Sequence, residues 1–133
     1  MVPKPEEQRD GRIRVLLVDD VEDLRTLLRI VFSRDGLFEV VGEAGDGETA
    51  VRQVSSLRPD LVLLDIAMPV MDGLAALPLV RQAAPDATIL MLTAFQQRAL
   101  GDECRRLGAD GYLEKGLSPQ QLVAEVRHHL GQG

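Results

Sequence analysis

Several apolar runs in this chain end in polar side chains able to do chemistry. VLLV is followed by Asp19 and Asp20, LVLL by Asp65, ILML by Thr93, and GYL by Glu114 and Lys115. Carboxylates brought together repel and raise one another's pKa unless a cation lies among them. An oxygen-only donor set suits Mg²⁺, which keeps several waters and accepts a site of carboxylates plus phosphate. A lysine beside such a cluster supplies a second positive charge able to meet a phosphoryl oxygen. Only Lys4 and Lys115 are lysines in a chain with 15 basic residues, so a lysine at that position calls for a reason. Each residue also has a simpler reading. Asp20 could cap a helix starting at Val21, Asp65 could cap a loop, Thr93 is β-branched at a strand end, and Lys115 could be a solvated surface group. For the site to vanish, all of these simpler readings must hold together at one edge of the fold.

The elements that must bring these residues together follow from hydrophobic periodicity. Apolar runs at Ile13–Val18, Phe38–Val41, Leu61–Leu64, Thr88–Leu92 and Gly111–Leu113 alternate with segments of helical period. All but the second and last are near-continuously apolar, as strands buried on both faces should be. Leu24, Leu27, Leu28 and Val31 form one helical face, Ala50, Val54 and Leu57 a second, and Leu122, Val126 and Leu130 a third. Ser118-Pro119 reads as an N-cap followed by Pro at the first helical position, while Pro59 and Gly108 mark helix exits. The stretch 96–107 is the weakest helix, because Gly101 interrupts the face of Leu100, Cys104 and Leu107. Pro78 should kink a helix beginning near Gly73 or delay its start. Five βα units in sequence predict a doubly wound α/β fold with a parallel sheet and right-handed crossovers. Ligands of such sheets bind beyond the carboxyl ends of the strands, where the polar residues above fall.

Composition narrows the function further. The 133 residues suit one domain, with 1–11 a Pro-rich, charged and disordered tail, 12–130 the folded unit and 131–133 a short C-terminal tail. A net charge of −6 argues against contact with nucleic acid. Aromatics at 3% leave no base-stacking platform. One cysteine, Cys104, excludes an internal disulfide and a cysteine-based metal site. With no apolar leader and no membrane-length apolar run, the expected setting is the cytoplasm.

VLLVDD at 15–20, LVLLDIAMPVMDG at 61–73, ILMLTA at 89–94 and GADGYLEK at 108–115 together resemble the receiver domain of bacterial response regulators, from about Arg12 to Leu130. The resemblance implies a flavodoxin-like (βα)5 fold with strand order 2-1-3-4-5. It implies a phosphoacceptor of two-component signalling rather than an enzyme, one that assists its own phosphorylation and dephosphorylation. By that resemblance Asp65 takes the phosphoryl group. Asp20 is the direct Mg²⁺ ligand together with Asp65 and the backbone carbonyl of Ala67, and Asp19 acts through water. Thr93 is the switch hydroxyl, Lys115 pairs with the phosphoryl group, and Tyr112 is the switch aromatic, although an aromatic in a short strand also reads as plain core. Met68 and Asp72 shape the loop after Asp65 rather than act in the chemistry.

The implied partners are a histidine kinase or phosphotransfer protein and an output domain or effector protein, with no membrane. Homodimerisation through helix 96–107, the fifth strand and helix 118–130 is a further expectation. These 133 residues leave no room for an output domain after Leu130. The ending GADGYLEKGLSPQQL resembles receivers that precede LuxR-type DNA-binding domains, so both a single-domain regulator and the receiver of a longer protein stay open. Two departures stand out: Pro78 interrupts the third helix, and Gly116 follows Lys115. Gly116 replaces the proline that usually follows the lysine, so the peptide there should be trans and the loop looser. Phe95 could obstruct attacking water and prolong the phosphorylated state.

Three rivals are weighed against this reading. A flavodoxin-type cofactor carrier wants a Ser/Thr/Gly-rich loop where Asp19-Asp20 stands. An aspartyl-phosphate phosphatase wants an Asp-x-Asp pair and a cap domain. A receiver-like interaction module that is never phosphorylated typically lacks part of the acidic and lysine set.

Overall fold

The computed structural model describes residues 10–94 and 99–132. Strands and helices alternate along them: β1 (Ile13–Val18), α1 (Glu22–Asp35), β2 (Phe38–Ala44), α2 (Gly47–Leu57), β3 (Leu61–Asp65), α3 (Gly73–Ala83), β4 (Thr88–Thr93), α4 (Gly101–Leu107), β5 (Gly111–Glu114) and α5 (Pro119–His129). The strands form one parallel sheet in the order β2-β1-β3-β4-β5, the expected flavodoxin-like arrangement.

Alternation within the apolar runs builds two cores. Leu16 and Val18, Val62 and Leu64, and Ile89 and Met91 face α2, α3 and α4. Val15 and Leu17, Leu61 and Leu63, and Leu90 and Leu92 face α1 and α5. A strand with both neighbours apolar can serve both layers, which is why these three runs carry almost no polar residue. Phe32 of α1 meets Phe38 of β2 edge to face, with ring centroids 4.9 Å apart.

Several boundaries differ from expectation for identifiable reasons. β2 runs on to Ala44 rather than stopping at Val41, because the register with β1 shifts between Val15 and Leu16 and leaves Val41 unpaired. That irregularity hides the rest of the strand behind Gly42 and Glu43. α3 begins at Gly73 with no delay, since Asp72 caps it through a 2.8 Å bond from Ala75 N–H. Pro78 lies inside α3 on its exposed side, where the carbonyl it leaves unpaired can be hydrated.

The expected helix 96–107 is shorter: α4 starts at Gly101 after a 3₁₀ turn at 99–100, and residues 96–98 lie outside the described residues. Gly101 therefore opens the helix rather than interrupting it. Ser118 caps α5 in a full capping box with Gln121. Of the expected N-terminal tail, 1–9 lie outside the described residues, and Asp10 pairs with Arg12 at 2.6 Å. Among the described residues no peptide bond is cis, Lys115–Gly116 included, and no helix is long and apolar enough to cross a membrane.

Candidate functional site

Parallel strands put all their carboxyl ends at one edge, so sequence-distant residues meet there. One carboxylate oxygen from each of Asp19, Asp20 and Asp65 lies within 4.8 Å of the others. Lys115 reaches in from the end of β5, its Nζ 3.0 Å from Asp19 Oδ2 and 2.9 Å from Asp65 Oδ1. Asp19 and Asp65 are buried, whereas Asp20 is exposed.

Asp20 caps no helix. Val21 takes the N-cap position of α1 with no side-chain bond, and the Val21 N–H is accepted instead by Asp19 Oδ1 at 2.8 Å. Asp65 caps nothing either. Its Oδ2 has no hydrogen-bond partner among the described residues, and Oδ1 meets Lys115 at ion-pair distance without hydrogen-bond alignment. A buried acceptor left open in this way is costly unless something occupies it.

Burial pushes the Asp65 carboxyl up to about 6, opposed by Lys115 and reinforced by Asp19 and Asp20. For Lys115, burial works against the charged form, but Asp65 and Asp19 outweigh it and the pKa moves upward. The lysine therefore stays charged and offsets one of the carboxylates. An uncompensated acidic excess remains, and all its donors are oxygens. This set could hold a hard divalent cation.

Thr93 ends β4, fully buried, and its hydroxyl donates to the Leu113 carbonyl at 3.2 Å. The hydroxyl is thus engaged with β5. Tyr112 is half-buried against the α2–α4 core. Ala67 is exposed two residues after Asp65. Phe95 lies outside the described residues. A hollow of about 650 Å³ at the opposite edge, between Ile13, Arg58, Pro59, Pro85 and Leu130, carries none of the residues singled out from the sequence.

Two supporting features escaped sequence reasoning. A Cβ on Gly73 would lie 2.0 Å from the Asp65 carbonyl oxygen, and Gly73 N–H donates to Ile66 O at 2.7 Å. Only glycine lets α3 begin that close to the end of β3, and the Asp72-Gly73 pair was its sole trace in the sequence. Arg25 of α1 donates to the Asp19 carbonyl and pairs with Glu43 at 3.2 Å, with Arg29 reaching the same carboxylate at 2.6 Å. Glu43 lies opposite Leu17 in the sheet, and only that register reveals the network. The loop after Asp65 also holds Val70 at φ 67°, a left-handed conformation uncommon for a β-branched residue.

Comparison with known proteins gives consistent findings. The sequence model of the response regulator receiver domain matches residues 15–127. Response regulator UvrY of Escherichia coli (strain K12) is 39% identical over 115 residues, which are 86% of this chain and 53% of UvrY. The chain thus spans about half the length of that relative. Chemotaxis protein CheY of Thermotoga maritima is 36% identical over 110 residues, 83% of this chain and 91% of that protein. The crystal structure of the CheX-CheY-BeF3-Mg+2 complex from Borrelia burgdorferi superposes with a TM-score of 0.82 at 28% identity, over 96% of this chain and 98% of that one.

Proposed function

The chain belongs to the response regulator receiver domain family, and from that premise we propose that Asp65 is the phosphoacceptor of a two-component system. The observation that carries this is the buried Asp65 carboxylate, with Oδ2 open and with Lys115, Asp19 and Asp20 around it.

An Asp65 oxygen attacks the phosphorus of a phosphohistidine. The new P–O bond forms as the P–N bond breaks, and the electron pair leaves on the imidazole. The attacking carboxylate must be ionised, which a pKa of about 6 allows at neutral pH. Transfer of this kind depends on positioning and on neutralising charge on the equatorial oxygens. Lys115 provides one positive charge at Asp65 Oδ1. Asp20, Asp65 and the Ala67 carbonyl would hold Mg²⁺, with Asp19 supporting them from the buried side. That ion supplies the remaining countercharge to the phosphoryl oxygens.

The product is a dianion at a buried position. It draws the Thr93 hydroxyl away from Leu113 O, and Tyr112 moves into the space released, a local charge change with a distant readout. The donor is a histidine kinase or phosphotransfer protein in the cytoplasm. The readout passes to an output domain or effector, and pairing of two copies through α4, β5 and α5 is part of the same proposal.

The test is intact-mass spectrometry after incubation with acetyl phosphate, with and without Mg²⁺, on the parent and Asp65→Ala. One phosphoryl adduct requiring both Mg²⁺ and Asp65 is expected. Absence of any adduct from the folded parent, with acetyl phosphate and with phosphorylated kinase alike, favours the interaction-module reading instead.

A further inference from the structure

α4 presents a slot to the ring of Tyr112. A Cβ built on Gly101 would lie 2.8 Å from Tyr112 Cε1 and 3.3 Å from Cδ1 and Cζ, so the ring rests on bare backbone. One turn further along, the Arg105 guanidinium carbon sits 5.2 Å from the ring centroid, within cation–π range. Positions 101 and 105 stand at i and i+4, neighbours on one helix face. Asp102 lies 3.5 Å from Arg105 Nη1 on the same helix, an exposed pair of little weight.

The start of α4 is otherwise weakly held. Leu100 at its N-cap has helical dihedrals and makes no side-chain cap bond, and a glycine at the first position loses more conformational freedom than any other residue. Tyr112 is opposite Met91 in the sheet, so it projects from the same face as Thr93, two residues beyond Met91.

We propose that Arg105 is a positioning residue: it holds the Tyr112 ring against α4 and thereby sets how readily the ring leaves for the space beside Thr93. The clamp stands on the geometry. Its regulatory meaning rests on the phosphoacceptor reading, because phosphorylation is what would draw the ring away. A ring leaving the slot uncovers Gly101 and gives up the guanidinium, so α4 and the ring shift together. An exposed cation–π contact of this kind moves a two-state ratio about two- to fivefold.

Tyr112 is the only tyrosine and the chain has no tryptophan, so ¹³C-tyrosine labelling gives ring signals from this one residue. The experiment records them for the parent, Arg105→Met and Arg105→Lys, first without Mg²⁺ and then through a titration with beryllofluoride and Mg²⁺. Arg105 is half exposed, so both variants should fold, and thermal melting checks this. Without ligand, Arg105→Met should show the out-of-slot population raised about two- to fivefold, with Arg105→Lys close to the parent. The beryllofluoride half-saturation of Arg105→Met should fall by the same factor.

Ligand-free ring signals of Arg105→Met identical to the parent's would overturn the proposal. So would Arg105→Lys and Arg105→Met shifting equally, because packing rather than charge would then be at work. A parent that ignores beryllofluoride would count against the phosphoacceptor reading, while the ligand-free spectra would still decide the clamp.

Discussion

At Asp65, burial and neighbouring charge oppose one another, and pH separates them. Its folded pKa of about 6 exceeds the ordinary 3.8, so between those values the folded protein binds more protons than the unfolded chain. Stability from this group therefore falls as pH rises from about 4 to about 6 and is level above. At roughly 1.4 kcal/mol per unit, Asp65→Asn should gain about 3 kcal/mol relative to the parent over that interval in Mg²⁺-free buffer. Urea unfolding of both proteins across the range measures it, and parallel pH curves would contradict the assignment. The same crowding predicts a response to metal. At pH 8, Mg²⁺ at about ten times its Kd should stabilise the parent by about 1.4 kcal/mol. Asp20→Ala should lose that increment, and an equal gain in both would remove Asp20 from the site. These residues were legible in the sequence because each stands at or just beyond the carboxyl end of an apolar run. Arg25 was not, because Glu43 reaches it only through the pairing of β2 with β1.

Among the elements, the junction of β3 and α3 is where backbone approaches Asp65 most tightly. Gly73→Ala would drive a methyl group into the Asp65 carbonyl oxygen, 2.0 Å away. Something must shift, and the expected cost is about 2–3 kcal/mol, in the range of overpacked sites. Displacing Asp65 should also slow acetyl-phosphate labelling. Gly116→Ala, with nothing within 4 Å of its Cβ, is the control and should stay within about 0.5 kcal/mol. Chemical denaturation with labelling kinetics tests both; a neutral Gly73→Ala would show that the loop does not position the carboxylate. Element boundaries were harder to read than element types. The apolar pattern predicts β2 only to Val41, because a register shift breaks the alternation there. The sequence predicts a helix over 96–107 with Gly101 interrupting the face of Leu100, Cys104 and Leu107, whereas α4 starts at Gly101, where the backbone meets Tyr112.

For the whole molecule, the parallel sheet turns residues spread from 19 to 115 into one site. The order β2-β1-β3-β4-β5 puts β1 beside β3, so Asp19 and Asp65 end adjacent strands. β4 lies between β3 and β5, and Lys115 crosses that width to reach both carboxylates. The alternation of strands and helices predicts a doubly wound parallel sheet, the resemblance to receiver domains supplies its strand order, and parallel strands place the polar ends at one edge. What the sequence could not show was orientation: the Thr93 hydroxyl bonded to Leu113 O and the Tyr112 ring seated on Gly101 are products of packing across β4, β5 and α4. The central claim is that one carboxylate at this edge accepts the phosphoryl group. The most direct test is borohydride reduction of the acetyl-phosphate-treated protein, followed by peptide mapping, since an aspartyl phosphate is reduced to homoserine at the acceptor position. The account predicts homoserine at position 65 alone, and only when Mg²⁺ was present. Homoserine at position 19 or 20, or labelling indifferent to Mg²⁺, would contradict it.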